Sequence, residues 1–452
     1  MSRLTRFTQR VFPAGLLFVA GVIAGCGGEE SAPAPAAEMP REEAPRAINI
    51  GGGDVTAVDG TFFSAEQFVT GGAVAGTDKI KGSQNPGLFR ECRTGDVAID
   101  LPLPSGTYDL TFYFSEPDEM GGRERLFDVL AEGETVIDDL DVMAFRDGKI
   151  RSGLTITTPD VTVDDGELTV RFDASVNEPV ICALLVRDKM PRGEDWQLSW
   201  SDEFDGGALD MSKWNIEEWT PRKVNDEDQA YTAREKNLRL EDDMLIIEAH
   251  LEDYGDARYT SGRIQSSGKA DFLYGRFEAR ARLPEGQGTW PAIWMLPSDP
   301  FRYATTCSDD ADWQGSSECD AWPNSGEIDI MEHVGYQMNH VHGTVHAKAY
   351  YWVMWEQRKG RILLPDVANN FHVYALEWSP DKIEAFVDDT LYFTYVNEGT
   401  GWEAWPFDHP YHWILNVAVG GVWGRAGGPI DDSIFPQRLE IDWVRVYERP
   451  TE

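Results

Sequence analysis

Residues 322–333 read WPNSGEIDIMEH, and the main predictions about this chain start from them. Acidic and apolar residues alternate over 327–330, which is the two-residue period of a β-strand with one buried face. Strict alternation would place Met331 on the acidic face and turn Glu332 away from it. A β-bulge between Asp329 and Glu332 would absorb one residue and return Glu332 to that face. The segment therefore predicts a bulged strand that presents three carboxyl groups together.

Three carboxyl groups on one face suit the cleavage of glycosidic bonds. With the bulge, Glu327 and Glu332 lie about four strand steps apart, roughly 13 Å between Cα atoms. Side chains that lean together reduce the carboxyl separation toward the roughly 5 to 5.5 Å of retaining glycosidases, rather than the 6.5 to 9.5 Å of inverting ones. Crowding also raises at least one pKa, because like charges resist joint ionisation, and this keeps one acid protonated near neutral pH. The alternative is the solvated face of a surface strand, which shows the same alternation.

The flanking segments favour a site over a solvated face. Residues 288–297 read GTWPAIWMLP, and residues 342–346 read HGTVH on the next predicted strand. Trp290 and Trp294 offer flat apolar faces for the C–H surface of a pyranose ring, although tryptophans also fill cores. The sequence therefore predicts a sugar-binding cleft around the acids.

Composition narrows the class of protein. The 452 residues include 40 Lys plus Arg against 78 Asp plus Glu, a formal charge of −38, which opposes binding to nucleic acids and other polyanions. With 42% hydrophobic and 26% charged residues, most of the chain is expected to fold around a core. Short strand-like runs with Gly, Pro, Asn and Asp between them, and no long 3.6-residue period, predict an all-β protein of two β-sandwich (jelly-roll) domains.

The N-terminus has the features of an export signal. Three arginines precede an apolar run over 14–25, which is too short for the roughly 20 residues of a membrane span. Residues 23–26 read IAGC and resemble the bacterial lipobox, which implies a lipoprotein signal peptide over 1–25 and a lipidated Cys26. We expect residues 26–45 to be a disordered tether and the protein to be lipid-anchored to the cell envelope, at the outer membrane or cell surface. The alternative is ordinary cleavage nearby, with Cys26 an incidental thiol.

Four further cysteines allow three disulfide pairings. All 16 tryptophans lie between Trp196 and Trp443, so the chain changes character near residue 190. A domain boundary there favours pairing within each half, Cys92 with Cys182 and Cys307 with Cys319. Two free loop thiols are the alternative for the second pair.

The first half, residues 46–190, resembles malectin-like carbohydrate-binding modules. The resemblance lies in AINIGG at 47–52, GTY at 106–108, FSE at 114–116, RLFDV at 125–129 and PVICAL at 179–184. It implies a jelly-roll sandwich that holds glucose-type oligosaccharides on loop aromatics. This chain instead has Pro117, Asp118 and Glu119 where sugar-stacking aromatics are found in such modules, so glucan binding and a spacer role both stay open. Phe62, Phe63 and Phe68 are expected in the core.

The second half, residues 195–449, resembles glycoside hydrolase family 16 of the laminarinase type. The matching segments are WSDEF at 200–204, SKWN at 212–215, YTSGRI at 259–264, YGRFE at 274–278, EIDIME at 327–332, FHVY at 371–374, ILNVAVGG at 414–421 and DWVRVY at 442–447. The resemblance implies a concanavalin-like sandwich with a concave sugar cleft.

The same resemblance implies roles for individual residues. Glu327 matches the nucleophile, Glu332 the general acid and base, and Asp329 the carboxylate between them that tunes protonation. The matched cleft positions are Asn225, Arg263, Trp290, Trp294 and His346. Residues 225–227 read NDE where laminarinases often have Asn-Asn-Glu, so this chain departs from the family pattern at Asp226, next to a matched cleft position. Glu203, Asp243 and Asp442 match positions that hold a structural calcium ion, although surface carboxylates are abundant in this chain.

We therefore predict a retaining endo-β-1,3-glucanase that acts on β-glucan and uses no redox or nucleotide cofactor. The membrane is expected to be contacted only through the lipid anchor, and a monomer is expected. One alternative is hydrolysis of another β-glycan, such as mixed-linkage glucan, agar or carrageenan. The other is a surface protein that binds glucan without catalysis, which retention of both glutamates disfavours.

Overall fold

The computed structural model describes residues 46–450, except residues 78, 147, 148, 150, 192, 194, 309, 310 and 317. The predicted signal peptide, the tether and Cys26 lie outside the described residues. Within the described part of the chain, no helix has the length and apolar character needed to cross a bilayer.

Twelve strands of the first half form the N-terminal sandwich. One sheet has the order β9-β6-β12-β1-β3-β2, and the other has the order β11-β5-β10-β7-β8 with β4 paired to β5. The strands are β1 Ala47–Asn49, β2 Val55–Thr56, β3 Phe62–Ala65, β4 Val69–Gly76, β5 Glu91–Pro102, β6 Gly106–Phe114, β7 Leu126–Ala131, β8 Glu134–Leu140, β9 Leu154–Val163, β10 Glu167–Val176, β11 Val180–Ile181 and β12 Ala183–Asp188, with 3-10 helices at Pro86–Phe89 and Ala144–Arg146.

The second half forms a larger sandwich. Its concave sheet has the order β14-β19-β29-β22-β23-β24-β25 with β20 paired to β29, and its convex sheet has the order β15-β18-β17-β30-β21-β26-β27-β28 with β13 on β30 and β16 on β17. The strands are β13 Gln197–Asp202, β14 Asn215–Ile216, β15 Gln229–Tyr231, β16 Leu238–Glu241, β17 Met244–Tyr254, β18 Ala257–Ser261, β19 Arg263–Gln265, β20 Asp271–Phe272, β21 Gly275–Arg282, β22 Thr289–Pro297, β23 Glu327–Glu332, β24 His340–His346, β25 Arg358–Leu363, β26 His372–Trp378, β27 Lys382–Val387, β28 Thr390–Val396, β29 Tyr411–Val419 and β30 Gln437–Glu448. Helices are α1 Ala321–Asn324 and α2 Gly421–Gly424, with 3-10 helices at Trp352–Met354 and Asp432–Ile434.

The predicted all-β fold of two sandwiches is confirmed, and each sandwich has its own core. One core draws its buried side chains from positions 48–186 and the other from positions 204–446. Strand β6 shows how the sequence builds the first: Tyr108, Leu110, Phe112 and Phe114 alternate along the strand and are all buried in this core, and Asp109 and Thr111 on the opposite face are buried as well. The turn from β9 to β10 has Gly166 at φ +91°, a backbone conformation that favours glycine.

The expectation for the early phenylalanines is correct for only one of the three. Phe63 is buried, but Phe62 is 58% exposed and Phe68 is 39% exposed. Phe62 and Phe63 are successive residues of β3, and successive side chains of a strand point to opposite faces. Phe62 therefore lies outside the core although it is aromatic.

Both favoured disulfides are present. Cys92 on β5 bonds to Cys182 between β11 and β12, and Cys307 bonds to Cys319 in the loop before α1. The first joins two segments 90 residues apart inside the N-terminal sandwich. Each bond lies within one half of the chain, as the domain boundary predicts.

The two sandwiches share a sheet. Strand β9 of the N-terminal sandwich lies parallel to β25, the outermost strand of the concave sheet, with Thr157 paired to Ile362. The hydrogen-bonded order therefore continues from β25 through β9 and β6 across the domain boundary. This contact places the N-terminal sandwich at one end of the concave face.

Candidate active site

The predicted bulge in β23 is confirmed. Glu327 pairs with His346 and Asp329 with Thr344 across β24, but Glu332 pairs with His342, so Ile330 and Met331 together face Gly343. Both apolar side chains lie in the hydrophobic core. The extra residue restores Glu332 to the face of Glu327 and Asp329.

Two features of the surrounding sheet accommodate the bulge. The Tyr392 hydroxyl of β28 donates a hydrogen bond to the Ile330 carbonyl oxygen at 3.1 Å, which satisfies a buried acceptor at the bulge. A Cβ at Gly343 would lie 2.8 Å from that hydroxyl oxygen and 3.1 Å from the Ala385 Cβ. Glycine opposite the bulge therefore leaves the space that Tyr392 occupies.

Each of the three acids has a distinct environment. The Trp322 indole N–H donates to Glu327 Oε2 at 2.8 Å, and the Trp290 indole N–H donates to Glu332 Oε1 at 3.1 Å. Asp329 lies between them and is only 1% exposed. Indole donors thus orient the outer two carboxyl groups, and burial isolates the middle one.

Burial raises the pKa of all three acids. For Glu327 the charge of Glu332 adds to this rise, and hydrogen bonds from Trp322 and Asp329 oppose it. The pKa of Asp329 lies well above its usual range, because burial raises it most and the charges of Glu327 and Glu332 raise it further. For Glu332 the nearby Lys359 ammonium and the Trp290 hydrogen bond oppose the effect of burial. The cluster therefore retains protons at neutral pH.

The proton on the middle acid has a structural reason. Asp329 Oδ2 is buried and accepts no hydrogen bond from the described residues. Burial lowers the pKa of His346 to about 3, so its imidazole is neutral, with Nε2 3.5 Å from Asp329 Oδ2 and 3.7 Å from Glu327 Oε1. A protonated Asp329 that donates its O–H to Glu327 favours the ionised form of Glu327 and so opposes the rise that burial causes in the pKa of Glu327. These three side chains also bring one potential metal-ligand atom each within 4.8 Å of one another.

Replacement of Asp329 tests this protonation pattern. Asp329→Asn keeps a neutral donor to Glu327, so we expect the acidic and alkaline limbs of the kcat/KM–pH profile to move by less than about half a pH unit. Asp329→Ala removes the donor, which raises the pKa of Glu327 and moves the acidic limb to higher pH. The measurement is kcat/KM on laminarin between pH 4 and 9. If both limbs of the kcat/KM–pH profile of Asp329→Asn move to lower pH by about one unit or more, Asp329 is normally ionised, because the amide would then have removed a repelling charge.

The remaining predicted sugar contacts line the same cleft as the acids. It has a volume of about 620 Å³, and its walls include Asn225, Arg263, Trp290, Trp294 and His346. The Trp294 indole N–H donates to Asn416 Oδ1 at 2.8 Å, which fixes the ring on β22 against β29. The Arg263 guanidinium is buried, pairs with Glu217 and lies 5.0 Å from the Trp294 ring centroid. Arg263 thus supports the aromatic wall.

Asn225, which also lines the cleft, is held by the buried carboxyl group of Glu227. Its side-chain amide donates to Glu227 Oε1 at 3.2 Å, and Gln229 donates to Glu227 Oε2 at 2.8 Å. Burial raises the pKa of Glu227, and its three hydrogen-bond donors, which include Tyr231, oppose that rise. The sequence departure at Asp226 leaves this arrangement intact, because Asp226 pairs instead with Arg425 at 2.5 Å.

Several cleft residues were not singled out from the sequence. Trp322, Lys359 and Asn416 contact or influence the acids and Trp294, and Trp219 and Trp423 add further aromatic surface. Trp322 was visible as the residue five positions before Glu327, and Asn416 as the polar residue within the apolar run of β29. Lys359 had no such signal, because only the pairing of β25 with β24 brings it near Glu332.

Two of the three predicted calcium residues pair with arginines. Glu203 accepts hydrogen bonds from Arg445 at 3.0 and 2.7 Å, which lower the pKa of Glu203, and Asp442 pairs with Arg280. Asp243 lies in the turn between β16 and β17. Guanidinium partners occupy two of the three carboxylates, so this set as arranged does not fit a cation. Calcium binding stays a prediction.

The loop of the N-terminal sandwich that lacks sugar-stacking aromatics contains an ion-pair cluster instead. Arg125 is buried and donates to Glu116 at 2.8 Å and to Asp118 at 2.9 Å. The carboxylates there neutralise an arginine of their own domain. They offer no aromatic platform for a sugar.

The fold and the cleft define a family of carbohydrate-cleaving proteins. Residues 213–445 match the model of the glycosyl hydrolases family 16, and residues 45–187 match that of the malectin domain. The first match spans more than half of the chain. The chain therefore belongs to glycosyl hydrolase family 16 and contains a malectin domain in addition.

Individual relatives are similar over the catalytic half. A beta-glucanase of Rhodothermus marinus is 48% identical over 273 residues, which cover 59% of this chain and 90% of that protein. A glucan endo-1,3-beta-glucosidase of Cryptopygus antarcticus is 38% identical and covers 55% of this chain and 91% of that protein. The X-ray structure of the laminarinase from Rhodothermus marinus aligns with a TM-score of 0.51 over 57% of this chain and 98% of that one. The similarity thus spans nearly all of these relatives and leaves the N-terminal sandwich of this chain outside it.

Proposed function

We propose that this protein hydrolyses internal β-1,3-glucosidic bonds of β-glucans with net retention at the anomeric carbon. The observation that carries the proposal is the bulged strand β23, which presents Glu327, Asp329 and Glu332 together in an open cleft lined by tryptophans. The relatives named beta-glucanase and glucan endo-1,3-beta-glucosidase support the choice of linkage.

Each of the three acids has a distinct role in the proposed double displacement. Glu327, oriented by the Trp322 N–H, attacks the anomeric carbon in its ionised form, which the hydrogen bond from Asp329 favours, and forms a glycosyl ester. Glu332 gives its proton to the departing glycosidic oxygen, which leaves as the free hydroxyl of the new chain end. Glu332 then takes a proton from water as that water attacks the same carbon and releases Glu327. Burial raises the pKa of Glu332, which favours the protonated form that the first step needs.

Asp329 and His346 hold the nucleophile between these steps. When Glu327 becomes an ester it loses its charge, so the hydrogen bond from Asp329 weakens and is restored when the ester is cleaved. The neutral imidazole lies near both carboxyl groups without adding charge. Neither group needs to exchange a proton with solvent during a cycle.

A substrate panel tests the linkage and the stereochemistry. We expect rapid release of reducing ends from laminarin, slower release from mixed-linkage glucan, and none above background from agarose or keratan sulfate. Proton NMR of the first products should show the β-anomer before mutarotation. Agarose and keratan sulfate, which both contain galactose, are the matched controls. Keratan sulfate is included because a relative named keratan-sulfate endo-1,4-beta-galactosidase is 32% identical to this chain. Preferential cleavage of either of them, or release of the α-anomer first, would overturn the proposal.

A mixed-linkage activity is the second candidate. The chain aligns with a TM-score of 0.51 and 38% identity to a structure titled a non-specific endo-beta-1,3(4)-glucanase from family GH16. Equal rates on laminarin and on mixed-linkage glucan in the same panel would favour this broader specificity.

We further propose that the protein is exported and anchored through Cys26 as a monomer. The charged and apolar segments over 1–25 and the IAGC run support this placement. Two disulfides among the described residues agree with folding in an oxidising compartment.

A further inference from the structure

The N-terminal sandwich lies against the end of the catalytic cleft. Strand β25 carries Lys359 and Arg361, both of which line the cleft, and it would be an open sheet edge in the catalytic sandwich alone. Strand β9 covers that edge through the pairing of Thr157 with Ile362. An unpaired edge strand is costly to leave exposed, so this pairing fixes the two sandwiches to each other.

Side-chain contacts hold one short segment of the N-terminal sandwich in place. Arg361 donates to the Phe145 carbonyl oxygen at 2.6 Å, and its guanidinium lies 5.5 Å from the Phe145 ring centroid. The Phe145 ring packs on His340 of β24 at 4.6 Å between ring centroids. Farther along the contact, the Gly82 N–H donates to Glu356 at 2.9 Å. One hydrogen bond and two ring contacts therefore anchor the 3-10 helix Ala144–Arg146 to the catalytic sheet.

This segment becomes part of the cleft wall. Phe145 and Lys149 line the same cleft as Glu327 and Glu332. Beside them, Trp352 is 44% exposed and also lines the cleft, and Trp355 is 50% exposed with the Lys149 ammonium 5.0 Å from its ring centroid. Exposed aromatics next to a cleft and close to a hydrogen-bond donor are typical of a surface that binds a ligand with apolar faces and polar edges.

The position of this surface relative to the acids sets what it can bind. Strand β25 is two places from β23 in the sheet, which corresponds to roughly 10 Å at about 4.8 Å per strand. Phe145 packs on His340 of β24 and accepts a hydrogen bond from Arg361 of β25, and Trp352 lies in the segment between these two strands, so the surface lies on the β24–β25 side of the acids. A sugar there is therefore not the one that contacts Glu327 and Glu332, although it lies in the same continuous cleft.

We infer that the N-terminal sandwich completes a distal glucosyl subsite, which Phe145 and Lys149 form together with Trp352. The occupant is a sugar unit of the same β-glucan chain whose bond is being cleaved. The aromatic rings cover the C–H faces of the pyranose, and the Lys149 ammonium donates hydrogen bonds to its hydroxyl groups. This inference rests on the proposed function and deepens it: the malectin domain acts as a wall of the catalytic cleft and makes the enzyme selective for longer chains.

The test compares kcat/KM along a series of β-1,3-linked glucose oligosaccharides, from the trimer to the heptamer, and on laminarin. In the unaltered protein, kcat/KM should rise steeply at the length that first fills the distal subsite. Phe145→Ala should reduce kcat/KM about three- to tenfold above that length, in line with the loss of one aromatic contact, and leave shorter substrates within about twofold. Lys149→Ala should show the same length dependence.

Two controls keep the outcome interpretable. Phe62→Ala removes an exposed phenylalanine of the same sandwich that does not line the cleft, and it should change no rate. Phe145→Leu keeps most of the apolar bulk against His340, so it should retain the unaltered thermal unfolding midpoint while losing activity on long substrates. An equal loss of kcat/KM at every substrate length would overturn the inference. So would an unchanged kcat/KM at every length in both Phe145→Leu and Lys149→Ala. Failure of the proposed function would appear separately, as an unaltered protein that does not cleave laminarin.

Discussion

Glu327→Gln is expected to reduce turnover of laminarin on the order of 10⁴-fold or more. An amide cannot attack the anomeric carbon as a carboxylate does, so no glycosyl ester forms. Its oxygen still accepts the Trp322 hydrogen bond, and therefore the position of the side chain is retained. The measurement is reducing-sugar release, with binding of a β-1,3-linked hexasaccharide by calorimetry expected to stay within about threefold of the unaltered affinity.

Glu285→Gln is the matched control for this variant. Glu285 is exposed and lies outside the cleft lining, so the same chemical change should leave turnover unaltered. The Glu327→Gln protein should also unfold at the same or a higher temperature, because it removes one of three crowded acids from a buried cluster. Turnover within about tenfold of the unaltered protein would refute the role of Glu327 as nucleophile.

Glu332→Gln is expected to reduce turnover of laminarin about 10²- to 10⁴-fold, through loss of the general acid and base. The effect should depend on the leaving group. With a dinitrophenyl β-glycoside, departure needs no proton, so the first step should remain fast and the ester on Glu327 should accumulate as a burst of dinitrophenol. Added azide should then speed turnover and give a β-glycosyl azide, because azide attacks the ester without help from a base.

The azide product separates this role from a general structural effect. Glu332→Gln retains an acceptor for the Trp290 N–H, so the wall of the cleft should keep its shape. If polymer and aryl glycoside lose activity equally and azide restores neither, Glu332 is not the acid and base. The Glu285→Gln control applies here as well.

The catalytic strand was predictable because its signal is local. The number of residues between Asp329 and Glu332 requires a bulge if all three acids are to share one face, and the structure has the bulge at that place. The two disulfide pairings were likewise predictable, because a domain boundary favours bonds between cysteines of the same domain. In contrast, the exposed Phe62 shows that residue type alone does not assign a strand position to the core.

The support of the acids was less predictable because it comes from distant segments. Arg263 and Asn416 reach the cleft through the pairing of β19 with β29, more than 150 residues apart in sequence. Strand register decides such neighbours, and a shift of one residue would turn each side chain to the opposite face. The same reasoning applies to Lys359, whose effect on Glu332 depends on the pairing of β25 with β24.

By itself the sequence determined that this chain is all-β, that its acids lie on one bulged strand, and that its two halves are different modules, because alternation, spacing and composition are local properties of the chain. Only the tertiary structure decided which acid is buried deeply enough to hold the shared proton, and which residues of the N-terminal sandwich reach the cleft. Burial and the contact between β9 and β25 arise from packing among segments that are far apart in sequence, and no local pattern records them.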